Sequence, residues 1–210
     1  MRQRSMILVT LGLVGLAVSL PDISLAVSAS RQAASSPAPS RNRVIDGARS
    51  SVTVRVYKSG LFSAFAHDHT VRAPIRQGEV TLGAEPEVRL EFDSRQMTVL
   101  DPEVSAKDRD EIQRTMLGPE VLDSAKYPEI GFRSTRVEAV STGRWRVAGE
   151  LTLHGQTKPI VVEVDQADSS YSGKARIKQT QFGITPIRIA GGTVKVKDEV
   201  VVEFRLFTTE

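Results

Sequence analysis

The residues of this chain best suited to chemistry are its histidines, two of which stand together in His67-Asp68-His69. In a β-strand, residues i and i+2 face the same way, so the two imidazoles could converge on a metal ion or, with Asp68, on a proton. Zinc needs three or four protein ligands, and His154 is the remaining histidine that could supply a third. The competing interpretation is a polar, hydrogen-bonded patch at the rim of the fold, with His154 exposed in a turn. We favour this second interpretation and expect no bound metal.

Other chemical motifs are missing from the sequence. It contains no nucleophile elbow, no Gly-rich phosphate loop and no HExxH motif, so we expect neither an enzyme nor a cofactor. The absence of cysteine excludes disulfides, iron–sulfur clusters, thiol nucleophiles and a lipid-anchored N-terminal cysteine. The 28 basic and 25 acidic side chains are interspersed, and a net charge of +3 offers no footprint for a nucleic acid.

One basic stripe, made of Lys174, Arg176 and Lys178, has two interpretations. The three residues are two positions apart, so they share one face of a strand. They form either the solvated face of that strand or a basic entrance for an anionic head group. The solvated face is the simpler interpretation.

The beginning of the chain carries the pattern of an export signal. Two arginines precede an apolar run from Met6 to Leu20, and a stretch of small residues follows. The run is shorter than the about 20 residues that span a bilayer. We therefore expect a signal peptide of residues 1–26, cleaved after Ala26 or as late as Ala29, and no stable membrane anchor after cleavage.

The rest of the chain divides into a linker and a domain. Residues 27–43 are rich in Ser, Ala and Pro and predict a disordered linker. From Val44 onward, apolar and polar residues alternate with the two-residue period of a strand, and turn signals separate the runs. We expect one domain of residues 44–210.

This alternation predicts an all-β fold. Each run has one apolar face and one charged face, and the connections are short, as in antiparallel sheets that are wet on one side. The long runs favour an antiparallel eight-stranded barrel over a sandwich. The apolar phase then points inward and supplies the candidate ligand-binding residues, which are Val54, Val56, Leu90, Phe92, Phe132, Trp145, Val147, Leu151, Val162, Ile177, Val202 and Phe204.

The interior of this barrel is expected to be hollow. Aromatic residues make up only 5% of the chain, and valine dominates the inward phase. Gly149, Gly173 and Ala175 fall in the same phase and are expected to leave further room. An eight-stranded barrel is just wide enough either to be filled by side chains or to hold one small ligand.

One segment, residues 101–127, breaks the alternation and predicts a helical excursion between two halves of the barrel. Asp101-Pro102 resembles a helix start, with Asp as the cap and Pro in the first position. Gly118-Pro119 predicts the end of the helix. Because this excursion joins strands without belonging to the sheet, we expect it to cover one end of the barrel.

Two sequence blocks carry a resemblance to a known family. Leu122–Thr135, LDSAKYPEIGFRST, resembles the FLD-x-x-KYP-x-I-x-F-x-ST block of YceI-like proteins, and Gly149–Ile160, GELTLHGQTKPI, resembles a second block of that family. The resemblance covers the whole folded region. It implies a lipocalin-like barrel that is periplasmic or secreted. It also implies a polyisoprenoid ligand such as a quinone-type lipid, which known members hold inside the barrel.

Taken together, these patterns predict an exported protein that binds an amphiphilic lipid or polyisoprenoid in the barrel interior, as a carrier or store. Two alternatives stay open. One is a metal-binding protein or enzyme that uses His67 and His69. The other is a filled barrel that acts as an interaction or stress-response module. Whether the protein forms a homodimer also stays open.

Overall fold

A curled antiparallel sheet of twelve strands dominates the computed structural model, which describes residues 40–59, 68–189 and 194–209. One α-helix, α1, lies within these residues at Ala106–Leu117. The strands are β1 Arg41–Val44, β2 Ser51–Ser59, β3 His69–Arg72, β4 Ile75–Leu82, β5 Glu87–Asp93, β6 Thr98–Val99, β7 Glu129–Ser141, β8 Arg144–Leu153, β9 Gln156–Ala167, β10 Ser170–Lys178, β11 Arg188–Ile189 and β12 Val194–Phe207.

The sheet returns on itself and forms a barrel. β2 pairs with β12 on one side and with β3 on the other, and β3 continues past Ala73-Pro74 into β4. β4 pairs with β5, and the order then runs through β7, β8, β9 and β10 back to β12. β1 adds a second closure, since it pairs with β4 while Ile45 bridges to Thr208 beyond β12. The predicted all-β barrel is confirmed.

The number of strands differs from the predicted eight because two long strands are bent and two short ones are added. β1 and β2 are separated by a turn in which Asp46 Oδ1 accepts the backbone N–H groups of Ala48 and Arg49. β3 and β4 are separated at Pro74, which has no N–H to donate to a ladder. β6 and β11 are two-residue pairings. Eight long segments remain, and the first of them starts at Arg41, three residues before the expected domain boundary at 44.

Tight turns fix the register of the central hairpins. His154 and Gly155 join β8 to β9 with φ angles of 50° and 70°, as a type I′ turn requires. Gly143 has a φ of 72° in the turn between β7 and β8. Because a one-residue slip would turn every inward side chain outward, these turns keep the apolar phase inside the barrel.

The predicted excursion contains α1, but the helix begins later than expected. Its cap is Ser105, whose Oγ accepts the backbone N–H of Asp108 at 3.2 Å, and not Asp101. The helix ends at Gly118 as predicted. No helix in the described part of the chain is long and apolar enough to span a bilayer.

A single glutamine ties α1 to the barrel. Gln113 Oε1 accepts the backbone N–H of Val99 at 2.8 Å, and its Nε2 donates to the carbonyl of Met97 at 2.8 Å. Both partners belong to β6 or the residue before it. The helix is therefore attached at the end of the barrel where β6 lies.

Candidate functional site

A cavity of about 280 Å³ occupies the interior of the barrel. Its wall is apolar apart from a few side chains. All twelve residues predicted from the alternation lie in this wall: Val54, Val56, Leu90, Phe92, Phe132, Trp145, Val147, Leu151, Val162, Ile177, Val202 and Phe204. Their common position follows from the two-residue period of the strands. That they bind a ligand stays a prediction.

Sequence periodicity missed the wall residues that lie outside the long strands. Met97, Met116, Val121, Leu122 and Ile184 also line the cavity. They come from α1 and from loops, where no two-residue pattern exists. For α1 the sequence does carry a signal. Ile112 and Met116 are four residues apart, which places them on one face of a helix, and both pack against the core.

One end of the cavity is closed by α1 and the loops beside it. Met97, Leu122 and Ile184 expose only 7%, 8% and 4% of their surface there, and the neighbouring Phe182 exposes none. Met116 reaches the cavity from α1. This end is mostly apolar, and Gln179, the polar side chain that lines the cavity beside Ile184, donates its Nε2–H to the carbonyl of Lys197 at 2.9 Å.

The opposite end is more open and more polar. It lies beside the turns that join β4 to β5, β7 to β8 and β9 to β10. Its lining residues Pro86, Glu87, Trp145, Gln166 and Tyr171 are all half-buried. The indole Nε1–H of Trp145 donates to Gln166 Oε1 at 3.0 Å. Gln166 can therefore offer a ligand its amide N–H groups as donors and the second lone pair of its oxygen as an acceptor.

Glu87 is the one charged residue of the cavity wall within the described part of the chain. Its Oε1 accepts hydrogen bonds from Nε of Arg89 and from Nε of Arg133, both at 2.9 Å. These guanidinium groups, with Arg89 as the larger contribution, hold the pKa of Glu87 below its ordinary value. The carboxylate is therefore ionised at neutral pH and is already paired.

The expectation that Gly149 and Gly173 leave room for a ligand is wrong. A Cβ at Gly149 would collide with the ring of Phe132, and one at Gly173 would collide with the ring of Phe204. Each glycine is covered by an aromatic ring from the neighbouring strand, which fills the space that the missing side chain leaves. Ala175, in contrast, does line the cavity.

His69 lies outside the cavity wall and has a carboxylate partner that the sequence did not indicate. Its Nδ1 is 2.7 Å from Oδ2 of Asp101, whose other oxygen accepts the backbone N–H of Thr70 at 2.7 Å. Asp101 is only 1% exposed. Asp68, which the alternative acid–base interpretation paired with the histidines, accepts the backbone N–H of Lys58 through Oδ1 at 2.9 Å. His67 lies outside the described residues.

The third histidine, His154, lies in a turn as predicted, but its side chain is half-buried and not exposed. His154 Nδ1 is 3.0 Å from the carbonyl oxygen of Phe182, and its ring packs on Tyr127 with the centroids 4.6 Å apart. A carbonyl can only accept, so Nδ1 carries the hydrogen. Among the described residues, no three His, Asp or Glu side chains come together as a metal site would require.

The basic stripe on β10 faces away from the cavity. Lys174, Arg176 and Lys178 are exposed. Lys174 Nζ is 2.7 Å from Glu203, and Arg176 Nη1 is 2.7 Å from Glu199, both on the neighbouring strand β12. The stripe is thus a solvated, salt-bridged outer face, and the alternative of a basic entrance is wrong.

Fold and cavity together define a class: small antiparallel β-barrels with a hollow, apolar interior that a helix closes at one end. Within this class the chain belongs to the YceI-like family, because the family model "YceI-like domain" matches residues 44–207.

Sequence relatives cover only part of the chain. It is 35% identical over 92 residues to a UPF0312 protein of Vibrio cholerae serotype O1 (strain M66-2), which is 39% of this chain and 47% of that protein. It is 55% identical over 42 residues to a UPF0312 protein of Pseudomonas savastanoi pv. phaseolicola, which is 20% of this chain and 22% of that protein. The chain thus matches less than half the length of these curated relatives.

Two solved structures share the fold. BcnA of Burkholderia cenocepacia superposes with a TM-score of 0.55 at 18% identity, over 79% of this chain and 99% of BcnA. A polyisoprenoid binding domain from Saccharophagus degradans, implicated in plant cell wall breakdown, superposes with a TM-score of 0.52 at 15% identity, over 79% of this chain and 97% of that domain.

Proposed function

We propose that this protein binds an amphiphilic lipid or isoprenoid, of which quinones are one type, inside the barrel and acts as a carrier or store. The observation that carries the proposal is the cavity of about 280 Å³ with an almost wholly apolar wall. Membership of the YceI-like family and the fold shared with a polyisoprenoid binding domain support the same class of ligand.

The energetics of such binding are favourable without any chemistry. Each methylene that moves from water into an apolar site gains about 0.8 kcal/mol. Ten methylenes therefore gain about 8 kcal/mol, from which the cost of association is subtracted. A ligand of this kind is nearly insoluble in water, so a protein that shields its chain would allow it to cross an aqueous compartment.

Export to the periplasm or to the outside of the cell is part of the proposal. It is supported by the signal-peptide pattern of residues 1–26, which lie outside the described residues. N-terminal sequencing of the protein from its native host is the test. We expect a mature N-terminus after Ala26 or Ala29, and an intact Met1 in the membrane fraction would contradict export.

Mass spectrometry of an organic extract tests the ligand directly. The protein is purified from its native host without detergent, extracted, and compared with a denatured, washed sample of the same preparation. We expect a lipid or isoprenoid in near-stoichiometric amount. In parallel, the emission of Trp145, the single tryptophan, is followed during titration with short-chain quinones, alcohols and fatty acids.

The titration has an internal control. A Trp145→Phe variant should lose the fluorescence change but keep the rise in melting temperature that a ligand produces. An empty extract, together with a panel that moves neither the emission nor the melting temperature, would contradict the proposed function.

A further inference from the structure

The size and the polarity of the cavity restrict the ligand further than the fold does. An engineered cavity of about 150 Å³ in a protein core binds benzene, which has six carbon atoms. The present cavity, at about 280 Å³, has nearly twice that volume. By proportion it encloses about eleven carbon atoms, which is far fewer than a long polyisoprenoid contains.

The cavity is also narrow. On β8 its lining residues extend from Trp145 to Leu153, eight residue steps or about 26 Å of strand. At the usual tilt of a barrel strand this corresponds to about 20 Å along the barrel axis. A volume of about 280 Å³ spread over this length has room for one chain in cross-section and not for two. The shape fits a single-chain ligand and excludes a diacyl lipid.

The two ends of the cavity differ in a way that orients such a chain. At the end covered by α1, Met97, Met116 and Leu122 are apolar, and the amide nitrogen of Gln179 is already bound to a backbone carbonyl, so the tail of the ligand belongs there. The open end presents the amide nitrogen of Gln166, whose oxygen already accepts from Trp145. A head group at this end therefore meets a hydrogen-bond donor.

The open end does not favour a charged head group. Glu87 accepts hydrogen bonds from Arg89 and Arg133, whose guanidinium groups do not line the cavity, so the described wall offers a head group neither a free carboxylate nor a cation. Beside this rim Glu85, Glu87 and Glu150 outnumber Arg133, so acidic side chains predominate there, which disfavours an anion. A charged group drawn into the cavity would lose hydration without gaining a counter-charge.

We propose that the ligand is a single-chain amphiphile with about ten to fourteen enclosed carbon atoms and an uncharged oxygen head group, a hydroxyl or carbonyl, held near Gln166. This inference rests on the proposed function and names the ligand class within it. Carbon atoms beyond this length would protrude through the open end and add little affinity. The tail lies against Met116.

Titration with n-alkanols from hexanol to hexadecanol tests the length limit. With 0.8 kcal/mol per methylene, the affinity should rise about fourfold per added carbon and then level off at about ten to fourteen carbons. Isoprenoid alcohols of 10, 15, 20 and 45 carbons should level off in the same range. An affinity that keeps rising up to the 45-carbon alcohol would overturn the length limit but support the proposed function. No binding by any alcohol would overturn this inference, whereas the proposed function fails only if the organic extract and the quinone and fatty-acid titrations are negative as well.

Head-group preference is tested at one chain length. Dodecanol should bind at least tenfold more tightly than dodecanoate and than dodecyltrimethylammonium, each measured below its micelle concentration. Gln166→Leu should lower the affinity for dodecanol severalfold and leave that for dodecane unchanged. Equal affinities of dodecanol and dodecanoate would overturn the uncharged head group.

A substitution at the closed end tests the orientation of the ligand chain. Met116→Ala removes a side chain from the closed end, so the levelling of the alkanol series should move to chains about two to three carbons longer. Glu111→Ala, on the exposed side of the same helix, should leave the series unchanged. An unmoved limit in Met116→Ala, in a variant that still binds dodecanol, would overturn the proposed orientation.

Discussion

At the scale of single residues, the buried carboxylate that most needs its hydrogen-bond partners, Asp101, lies outside the cavity wall. The carboxylate of Asp101 is buried and accepts two hydrogen bonds, from the His69 side chain and from the backbone N–H of Thr70. These contacts connect the start of β3 to the segment that leads into α1. The adjacency of His67, Asp68 and His69 suggested a local pair, but the partner of His69 lies 32 positions further along the chain. No local pattern could reveal a partner brought in by tertiary folding.

Replacement of Asp101 should destabilise the protein. In Asp101→Ala the Thr70 N–H and the His69 ring lose their acceptor in a buried place, which costs about 1–3 kcal/mol of the free energy of unfolding. Thermal and urea unfolding measure the loss. Asp110→Ala, an exposed carboxylate on α1, is the matched control and should change stability by less than about 0.5 kcal/mol. Equal losses in the two variants would contradict the role of Asp101.

A second carboxylate makes stability depend on pH. Asp93 Oδ1 accepts the backbone N–H and Nε of Arg95 at 3.0 and 2.8 Å, and Oδ2 accepts from Nη2 at 2.7 Å. These bonds lower the pKa of Asp93 from 3.8 to about 2. Because folding favours the ionised form, the stabilisation is complete above the ordinary pKa and is lost as the pH falls through about 2.

Asp93→Asn should therefore have a melting temperature below that of the wild type at pH 7, with a difference that narrows as the pH falls from about 4 to about 2. Melting curves across this range measure the difference. Arg95→Gln removes the same side-chain hydrogen bonds. Its melting temperature should therefore also lie below that of the wild type at pH 7 and approach it as the pH falls from about 4 to about 2. A difference that stays constant down to pH 2 would show that the Asp93–Arg95 pair is not its source.

At the scale of elements, strands were more predictable than the helix. Alternation identifies a strand along its whole length, whereas a helix start depends on one capping contact. Asp101-Pro102 has the composition of a start, but the Asp101 carboxylate is bound to β3, and the cap falls to Ser105. Competition between tertiary and local hydrogen bonds for one side chain is not visible in the sequence.

α1 should open more readily than the sheet. None of its residues is fully buried, and its polar attachment to the barrel runs through the side chain of Gln113. In hydrogen-exchange mass spectrometry we expect the amides of residues 110–117 to exchange before those of β8 and β9. Gln113→Ala should speed this exchange severalfold, while Glu111→Ala should not. Protection of α1 equal to that of β8 would contradict a weakly attached helix.

At the scale of the whole molecule, the sequence predicts the inside of the barrel better than its ends. Inward and outward residues follow from the strand period alone, so the twelve candidate residues share one wall. The closed end is assembled from Met97, Met116 and Ile184, which are remote from one another in sequence. The true volume also depends on pairs such as Gly173 with Phe204, where a ring fills the space over a glycine. This filling of space over a glycine can be predicted only when the register between neighbouring strands is known.

A pair of inward positions on β10 tests whether the interior is hollow. Ala175 lines the cavity, so Ala175→Phe has space to enter and should change the free energy of unfolding by less than about 1 kcal/mol, while lowering the affinity for dodecanol at least tenfold. Gly173, two residues away in the same phase, faces Phe204 and the backbone of β9, so Gly173→Leu should cost about 1–3 kcal/mol or more.

The outward control for this pair is Val161→Phe on β9, where the side chain is 60% exposed, and it should alter neither stability nor binding. Thermal unfolding and titration of the three variants with dodecanol measure both quantities. If the interior were filled, the added ring of Ala175→Phe would overpack the core, and this variant would lose as much stability as Gly173→Leu. A stable Ala175→Phe protein with unchanged affinity would place the ligand elsewhere. A soluble Ala175→Phe protein that keeps its melting temperature and loses dodecanol binding is the outcome that a hollow, ligand-holding barrel requires.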